Sequence, residues 1–210
     1  MAGRTRQIHR IVAIALGVFI ALHLASHAFA WGGIAAHSAA LQAVRLAYRN
    51  PAIEPLLLTA VALQVVLGLR LALSRWRSGV SGGWGRLQLA SGSILAFFLL
   101  AHAGAAVSAR WLGGIDTNFY WPAGTLVLAP LKYGFWPYYV LAVSALLIHV
   151  ACALHFNGFA RMPRLLAMAA LPVAITIVLP FSGAIFPVEL PDDYRTYFAN
   201  YADIGGELEP

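Results

Sequence analysis

The chain has 210 residues, of which 60% are hydrophobic and 10% are charged, and its mean hydropathy is +0.75. A water-soluble domain of this size does not need so much apolar surface, so the composition favours a membrane protein. The net charge of +6 does not indicate nucleic-acid binding, because the arginines fall in short segments beside apolar runs. The single cysteine, Cys152, excludes a disulfide framework and a cysteine-based metal site.

Five apolar segments follow one another, each close to the length of about 20 residues that crosses a bilayer as a helix. They cover residues 8–30, 55–73, 87–109, 137–156 and 165–186. The first begins like a signal peptide, but His23 and His27 interrupt its apolar run, and we expect it to be retained. The sequence therefore predicts an all-α membrane protein, with a five-transmembrane-helix bundle over residues 1–186 and a tail over residues 187–210.

The distribution of charge predicts the orientation of this bundle. Arginines cluster at the N-terminus and in the loops after the second and fourth segments, namely Arg4, Arg6, Arg10, Arg70, Arg75, Arg77, Arg86, Arg161 and Arg164. The positive-inside rule places these segments in the cytoplasm. The acidic, tyrosine-rich tail then lies outside, which gives an N-in/C-out topology. Richness in alanine and arginine suggests a bacterial inner membrane.

Two long connections are expected on the outer face. Residues 32–54 carry Leu41 and Val44 at helical spacing, with Arg45 and Arg49 beside them, which predicts an interfacial helix that ends near Asn50. Residues 110–136 are rich in aromatic side chains, as is typical of a membrane–water boundary. Pro172 and Pro180 are expected to bend the fifth helix.

Histidines inside the apolar segments are the strongest functional signal. An ionisable side chain at such depth is costly and therefore marks a candidate site. His23 and His102 each lie roughly 22 Å from the cytoplasmic ends of parallel helices, so their imidazoles reach one level. That arrangement suits a haem iron held between two imidazoles, although histidines hydrogen-bonded between helices are the alternative. His27, one turn from His23, is placed either to bind a propionate or quinone or to lie at the interface. His9, His37 and His155 receive no role.

A second pair of polar residues lies closer to the cytoplasm. His149 on the fourth segment and Gln64 on the second are expected at similar depths in the membrane. Glutamine, however, is not an ordinary haem ligand. Small residues also mark these helices, and they either admit a flat macrocycle or pack helices closely. They are Ser26, Ser91, Gly92, Ser93 and Gly104.

These motifs resemble the single-chain, five-helix cytochrome b anchor subunits of succinate dehydrogenase and fumarate reductase. The matching residues, between about positions 8 and 156, are Leu22-His23-Leu24-Ala25-Ser26-His27, then Gln64 with Gly68, Leu69 and Arg70, then Ser91-Gly92-Ser93, His102 and His149. In that family four histidines on the first four helices hold two b haems. The resemblance implies that His23 and His102 bind the outer haem and that His149 is a ligand of the inner one. Gln64 occupies the ligand position on the second helix, where the family has a histidine, so one haem is expected.

The resemblance further implies an anchor that binds iron–sulfur and flavoprotein subunits on the cytoplasmic side and exchanges electrons with quinone. Glu54 is the candidate for quinone proton handling, with a helix N-terminal acid paired to Arg49 as the alternative. Arg45, Arg49 and Arg110 either pair with haem propionates or mark the interface.

A second function from a different class stays open. A haem-poor structural subunit on the same scaffold would brace or recruit a larger membrane complex through its outer face. Gln64 removes one ligand, and the tail carries Tyr194, Tyr197 and Tyr201 among acids, which is typical of a docking segment. A transporter is not favoured, because the sequence has no internal repeat and no paired acid and base at mid-membrane.

Overall fold

The computed structural model describes residues 2–202, and this part of the chain contains helices, turns and loops but no strand. The α-helices are α1 (Ala2–Ala28), α2 (Ile34–Tyr48), α3 (Ile53–Arg77), α4 (Gly83–Trp111), α5 (Tyr120–Val127), α6 (Leu131–Phe156), α7 (Met162–Val178) and α8 (Asp192–Ala202). The prediction of an all-α fold is therefore confirmed for the described residues. Asp203, Glu207 and Glu209 of the predicted acidic tail lie outside them.

Five helical segments are long and apolar enough to cross a membrane, as the sequence predicts. They are Gly3–Gly32, Ile53–Arg77, Gly83–Trp111, Leu131–Phe156 and Met162–Ser182. Most of these helices extend beyond the predicted apolar runs. In α3, for example, the last turn contains Arg75 and Arg77, whose positive charges interact favourably with the helix dipole. The expected end of the fifth segment at residue 186 is wrong. A short 3-10 turn containing Pro180 ends it, and Gly183 leaves the helix with φ +77°.

The five long helices pack as a closed ring. α1 contacts α3, α3 contacts α4, α4 contacts α6, α6 contacts α7, and α7 returns to α1. Large apolar side chains point outward, with Ile14 63%, Phe97 67% and Met168 77% exposed. This multi-pass architecture implies contact with membrane lipid.

The short helices α2, α5 and α8 all join one end of the ring, which we call the capped end; the other is the open end. There Phe119 stacks on Phe181 with ring centroids 4.8 Å apart, and both rings are buried. Tyr194 and Phe198 of α8 are also buried, in a cluster with Trp121 of α5. The described part of the tail thus packs onto the bundle.

Contact between α8 and the bundle depends on two glycines. A Cβ atom at Gly124 would lie 2.1 Å from Cε2 of Phe198, and one at Gly113 would lie 2.6 Å from Cε2 of Tyr197. Neither approach leaves space for a methyl group. Helix α8 can therefore pack closely against α5 and the turn after α4 because Gly124 and Gly113 have no side chains.

Candidate functional site

The structure brings His23 and His102 together across the bundle, near the capped end. Their ring centroids are 6.2 Å apart, and the ring planes meet at 60°. Phe19 stacks on His23 at 5.6 Å, and Phe98 stacks on His102 at 5.0 Å. These aromatic neighbours restrict the rotation of both imidazoles. The two half-buried imidazoles are therefore close neighbours on different helices, as their equal depths predict.

A chain of imidazoles extends from His23 toward α2. Nε2 of His27 lies 3.2 Å from Nε2 of His23, and Nδ1 of His27 lies 3.0 Å from Nε2 of His37. Both ring nitrogens of His27 therefore already have partners. Nothing in the sequence pattern singled out His37, yet its side chain is completely buried. The buried residues of α2 are His37, Leu41 and Arg45, which follow one another at intervals of four residues. They therefore lie on one face of the helix.

The proton positions in this chain are coupled. A neutral imidazole has one donor and one acceptor nitrogen, so the three rings must donate in a single direction. Burial, and to a lesser degree the positive charge of Arg45, lowers the pKa of His37 to about 4. His37 is therefore neutral at physiological pH. Nδ1 of His23 is buried without a hydrogen-bond partner, which leaves this nitrogen available to a ligand.

Two arginines of α2 meet an acid from the loop before α5. Nη1 of Arg45 and Nη1 of Arg49 each lie 2.9 Å from a carboxylate oxygen of Asp116, and Nη2 of Arg49 donates to Thr117 at 2.7 Å. Burial alone would raise the pKa of Asp116, but the hydrogen bonds from both arginines outweigh it, and the pKa is lowered. Arg45 is only 5% exposed, and its Nε and Nη2 atoms are buried without partners. These two nitrogen atoms of Arg45 can therefore donate hydrogen bonds to a bound group.

The expectation that Glu54 pairs with Arg49 is wrong. Glu54, in the first turn of α3, forms its ion pair with Arg110 of α4, because Arg49 is already held by Asp116 and Thr117. Both Glu54 and Arg110 are largely buried.

A second polar group lies toward the open end, but it does not pair His149 with Gln64. Nε2 of Gln64 donates to Nε2 of His9 at 3.0 Å, whereas Nδ1 of His149 lies 3.1 Å from the Ser91 hydroxyl. Ser91 donates to the Leu87 carbonyl, so its oxygen accepts from His149.

The small residues of α4 do not border the His23–His102 pair. A Cβ atom at Gly92 would lie 3.0 Å from Cε1 of His149, and Gly104 faces open space. Ser93 is exposed and bonds to its own helix. Of these residues only Ser26 accompanies the first pair, because its hydroxyl donates to the His23 carbonyl at 2.7 Å.

The geometry can be tested against a haem. An iron bonded to two imidazole nitrogens at about 2 Å places the ring centroids roughly 6 Å apart, which matches the separation of His23 and His102. The unpaired guanidinium nitrogens of Arg45 suit a propionate carboxylate. Within residues 2–202 no group of three or more His, Cys, Asp or Glu side chains is arranged to hold a metal ion. A two-imidazole site instead suits a macrocycle that supplies the remaining nitrogen ligands.

No protein-family model, curated protein or solved structure matches the chain.

Proposed function

We propose that the chain is the membrane-anchor cytochrome b subunit of a respiratory complex like succinate dehydrogenase or fumarate reductase. It carries one b haem between His23 and His102 and transfers electrons between a cytoplasmic iron–sulfur and flavoprotein partner and quinone. The observation that carries this proposal is the 6.2 Å separation of two imidazoles that lie on different helices. Hydrogen bonding alone does not explain the pair, since His102 makes no hydrogen bond within the described residues and Nδ1 of His23 has no partner.

Each residue of the site has a distinct task in this proposal. His23 and His102 would hold the haem iron, and Arg45 would bind a propionate. His27 accepts the N–H of His23 and thereby orients its ring, as partners of ligating histidines commonly do. Phe19 and Phe98 hold the imidazoles in place and exclude water. The bound haem supplies one-electron transfer.

The proposed orientation is N-in/C-out, with α2 as an interfacial helix on the outer face. In support, the arginine-rich turns after α3 and α6 lie at the open end, while Asp116 and Glu189 lie at the capped end. The partner subunits would bind the open end from the cytoplasm of a bacterial inner membrane. Exposed apolar side chains on α2, such as Leu46, which is 84% exposed, support the interfacial placement.

A reduced-minus-oxidised visible spectrum of the purified protein tests the proposal. We expect a b-type signal that is lost in both His23→Ala and His102→Ala. The matched control is His155→Ala, because His155 lies at the open end and stacks on Trp84 at 4.6 Å. That variant should keep the full signal.

The haem content distinguishes the remaining alternatives. We expect a stoichiometry near one haem per chain, because Gln64 bonds His9 and cannot replace an imidazole. A value near two would show that a second haem binds despite Gln64. A colourless but well-folded preparation would overturn the cytochrome proposal and favour the haem-poor structural subunit.

A further inference from the structure

Positive charge toward the open end of the bundle has no counterpart there. Within residues 2–202 every aspartate and glutamate lies at the capped end, where three of the arginines form ion pairs. The arginines toward the open end form no ion pair within this part of the chain. They are Arg4, Arg6, Arg10, Arg70, Arg75, Arg77, Arg86, Arg161 and Arg164. This end therefore offers uncompensated cations to an anionic partner.

Arg70 lies on the face of α3 that meets lipid. Val66, four residues before it, and Leu73, three residues after it, lie on the same face, and both are exposed. The Arg70 side chain is itself exposed, and it makes no hydrogen bond or ion pair within residues 2–202. An unpaired guanidinium group is thus placed among side chains that contact the hydrocarbon of a bilayer, where an arginine requires a partner.

The depth and direction of Arg70 separate its charge from water. It precedes Arg77, the last residue of α3, by seven residues, so it lies roughly 10 Å from the end of the helix. Cα–Cβ bonds tilt toward the N-terminus of a helix, and α3 begins at the capped end, so this side chain leaves the backbone toward the middle of the bilayer. In α1, which runs the opposite way, the same tilt carries Arg10 toward the open end. Arg70 therefore requires an anion that comes to the lipid-facing surface itself.

A second cation lies two turns farther along the same face. Arg77 follows Arg70 by seven residues, which brings it to nearly the same side of the helix, with Leu73 between the two. Arg77 is exposed and has no ion pair within the described residues. Trp76 is also exposed, as is typical of an aromatic side chain at the level of lipid headgroups. This face thus combines an apolar surface for acyl chains with two guanidinium groups nearer the membrane surface.

We propose that this face of α3 binds one anionic phospholipid, whose phosphate lies within reach of Arg70 and Arg77. Guanidinium groups donate paired hydrogen bonds to phosphate oxygens, and the acyl chains lie along the exposed side chains of Val66 and Leu63. A zwitterionic headgroup fits less well, because its own cation competes with the arginines for the phosphate.

The position of this site distinguishes a lipid from an acidic protein. Arg70 lies beside residues that contact hydrocarbon, where a water-soluble subunit does not reach. The site is on the side of the bundle, so it leaves the open end itself to partner subunits. It needs the membrane-spanning architecture but neither haem nor quinone.

Native mass spectrometry of the full chain, released from detergent micelles, tests the proposal with two lipids that have identical acyl chains. We expect the first phosphatidylglycerol to bind about tenfold more tightly than phosphatidylcholine, and excess inorganic phosphate should not displace it. Arg70→Gln should reduce this preference to about twofold or less. The control is Arg161→Gln, which lowers the net charge equally but lies outside the apolar segments, directly before α7. This variant should keep the preference.

Crosslinking locates the lipid independently of any variant. The probe is a phosphatidylglycerol with a diazirine at the headgroup end of one acyl chain, added to the unmodified chain in phosphatidylcholine nanodiscs. We expect the label on residues 66–77, and excess unlabelled phosphatidylglycerol should compete for it.

Four results would overturn the inference. Equal affinity for the two lipids would show that the headgroup charge is not recognised and would favour an acidic protein as the partner of Arg70. Equal losses in Arg70→Gln and Arg161→Gln would assign binding to the net charge of the open end. Displacement by inorganic phosphate would indicate a site for a free anion. Label spread over all lipid-facing helices without competition would show that no lipid site exists on α3.

Discussion

Arg45 and Asp116 form a 2.9 Å ion pair that joins α2 to the loop before α5. The same acid accepts from Arg49, and its backbone carbonyl accepts the Tyr194 hydroxyl of α8 at 2.7 Å. One residue thus holds three elements of the capped end together. Because Arg45 lies on the same buried face of α2 as His37, this network also supports the histidine chain.

Asp116→Asn is expected to destabilise the protein by about 1–3 kcal/mol. The buried Arg45 charge would lose its carboxylate partner, which is costly, although the partial exposure of Asp116 reduces the effect. Unfolding of the detergent-solubilised protein by urea measures the change. The control is Glu189→Gln, an exposed acid with no ion pair among the described residues, which should change stability by less than about 0.5 kcal/mol. Equal losses in both variants would contradict a specific role for Asp116.

The pKa of His37, lowered to about 4, predicts a pH dependence of stability. The unfolded chain, with an ordinary histidine pKa near 6.5, binds a proton between pH 6.5 and 4, whereas the folded protein does not. Stability is therefore complete above about pH 6.5 and falls as the pH decreases toward 4, by about 3 kcal/mol or less from this residue. His27 and Arg45 are the groups that face His37.

His37→Gln removes this titration and retains an amide that reaches His27. Thermal midpoints measured between pH 7 and pH 4 should decline less steeply in this variant than in the unmodified protein. His155→Gln, at the open end, is the comparison and should keep the original slope. A His37→Gln profile that is superimposable on the original would show that another group causes the decline.

The sequence predicted the long helices well and the capped end poorly, for physical reasons. A bilayer requires about 20 apolar residues for each helix, so composition alone reveals the five segments, and equal depth along parallel helices brings His23 and His102 to one level. Asp116 was missed because its arginine partners are remote in the chain, and His37 because its contact with His27 depends on the turn between α1 and α2. The pairing of Glu54 with Arg110 depends likewise on the packing of α3 against α4, which no local pattern encodes.

The docking of α8 could not be predicted because it depends on the absence of side chains. Gly113 and Gly124 look like ordinary loop and interface glycines in the sequence, and their importance appears only once Tyr197 and Phe198 lie against them. The aromatic residues of the tail indicated a docking segment, but they did not indicate that this chain itself provides the surface for the described part.

Gly124→Ala should displace α8. The added methyl group would lie 2.1 Å from Phe198, and overpacking of this kind typically costs about 1–3 kcal/mol. We expect faster proteolytic cleavage after residue 187 together with a lower thermal midpoint. Gly104→Ala is the matched control, because this exposed helical glycine has no atom within 4 Å of the new Cβ, and it should be neutral or slightly stabilising. Unchanged proteolysis of Gly124→Ala would mean that α8 does not dock on α5.

Glu54→Gln separates the two roles considered for this acid. Its ion pair with Arg110 and its position in the first turn of α3 favour a structural role. We therefore expect a loss of about 1–2 kcal/mol in unfolding free energy, because a largely buried Arg110 loses its partner, and no change in quinol turnover per folded molecule of the assembled complex. Arg110→Gln should give a similar loss of stability. A selective fall in turnover at unchanged stability, seen in Glu54→Gln but not in Arg110→Gln, would instead assign proton handling to Glu54.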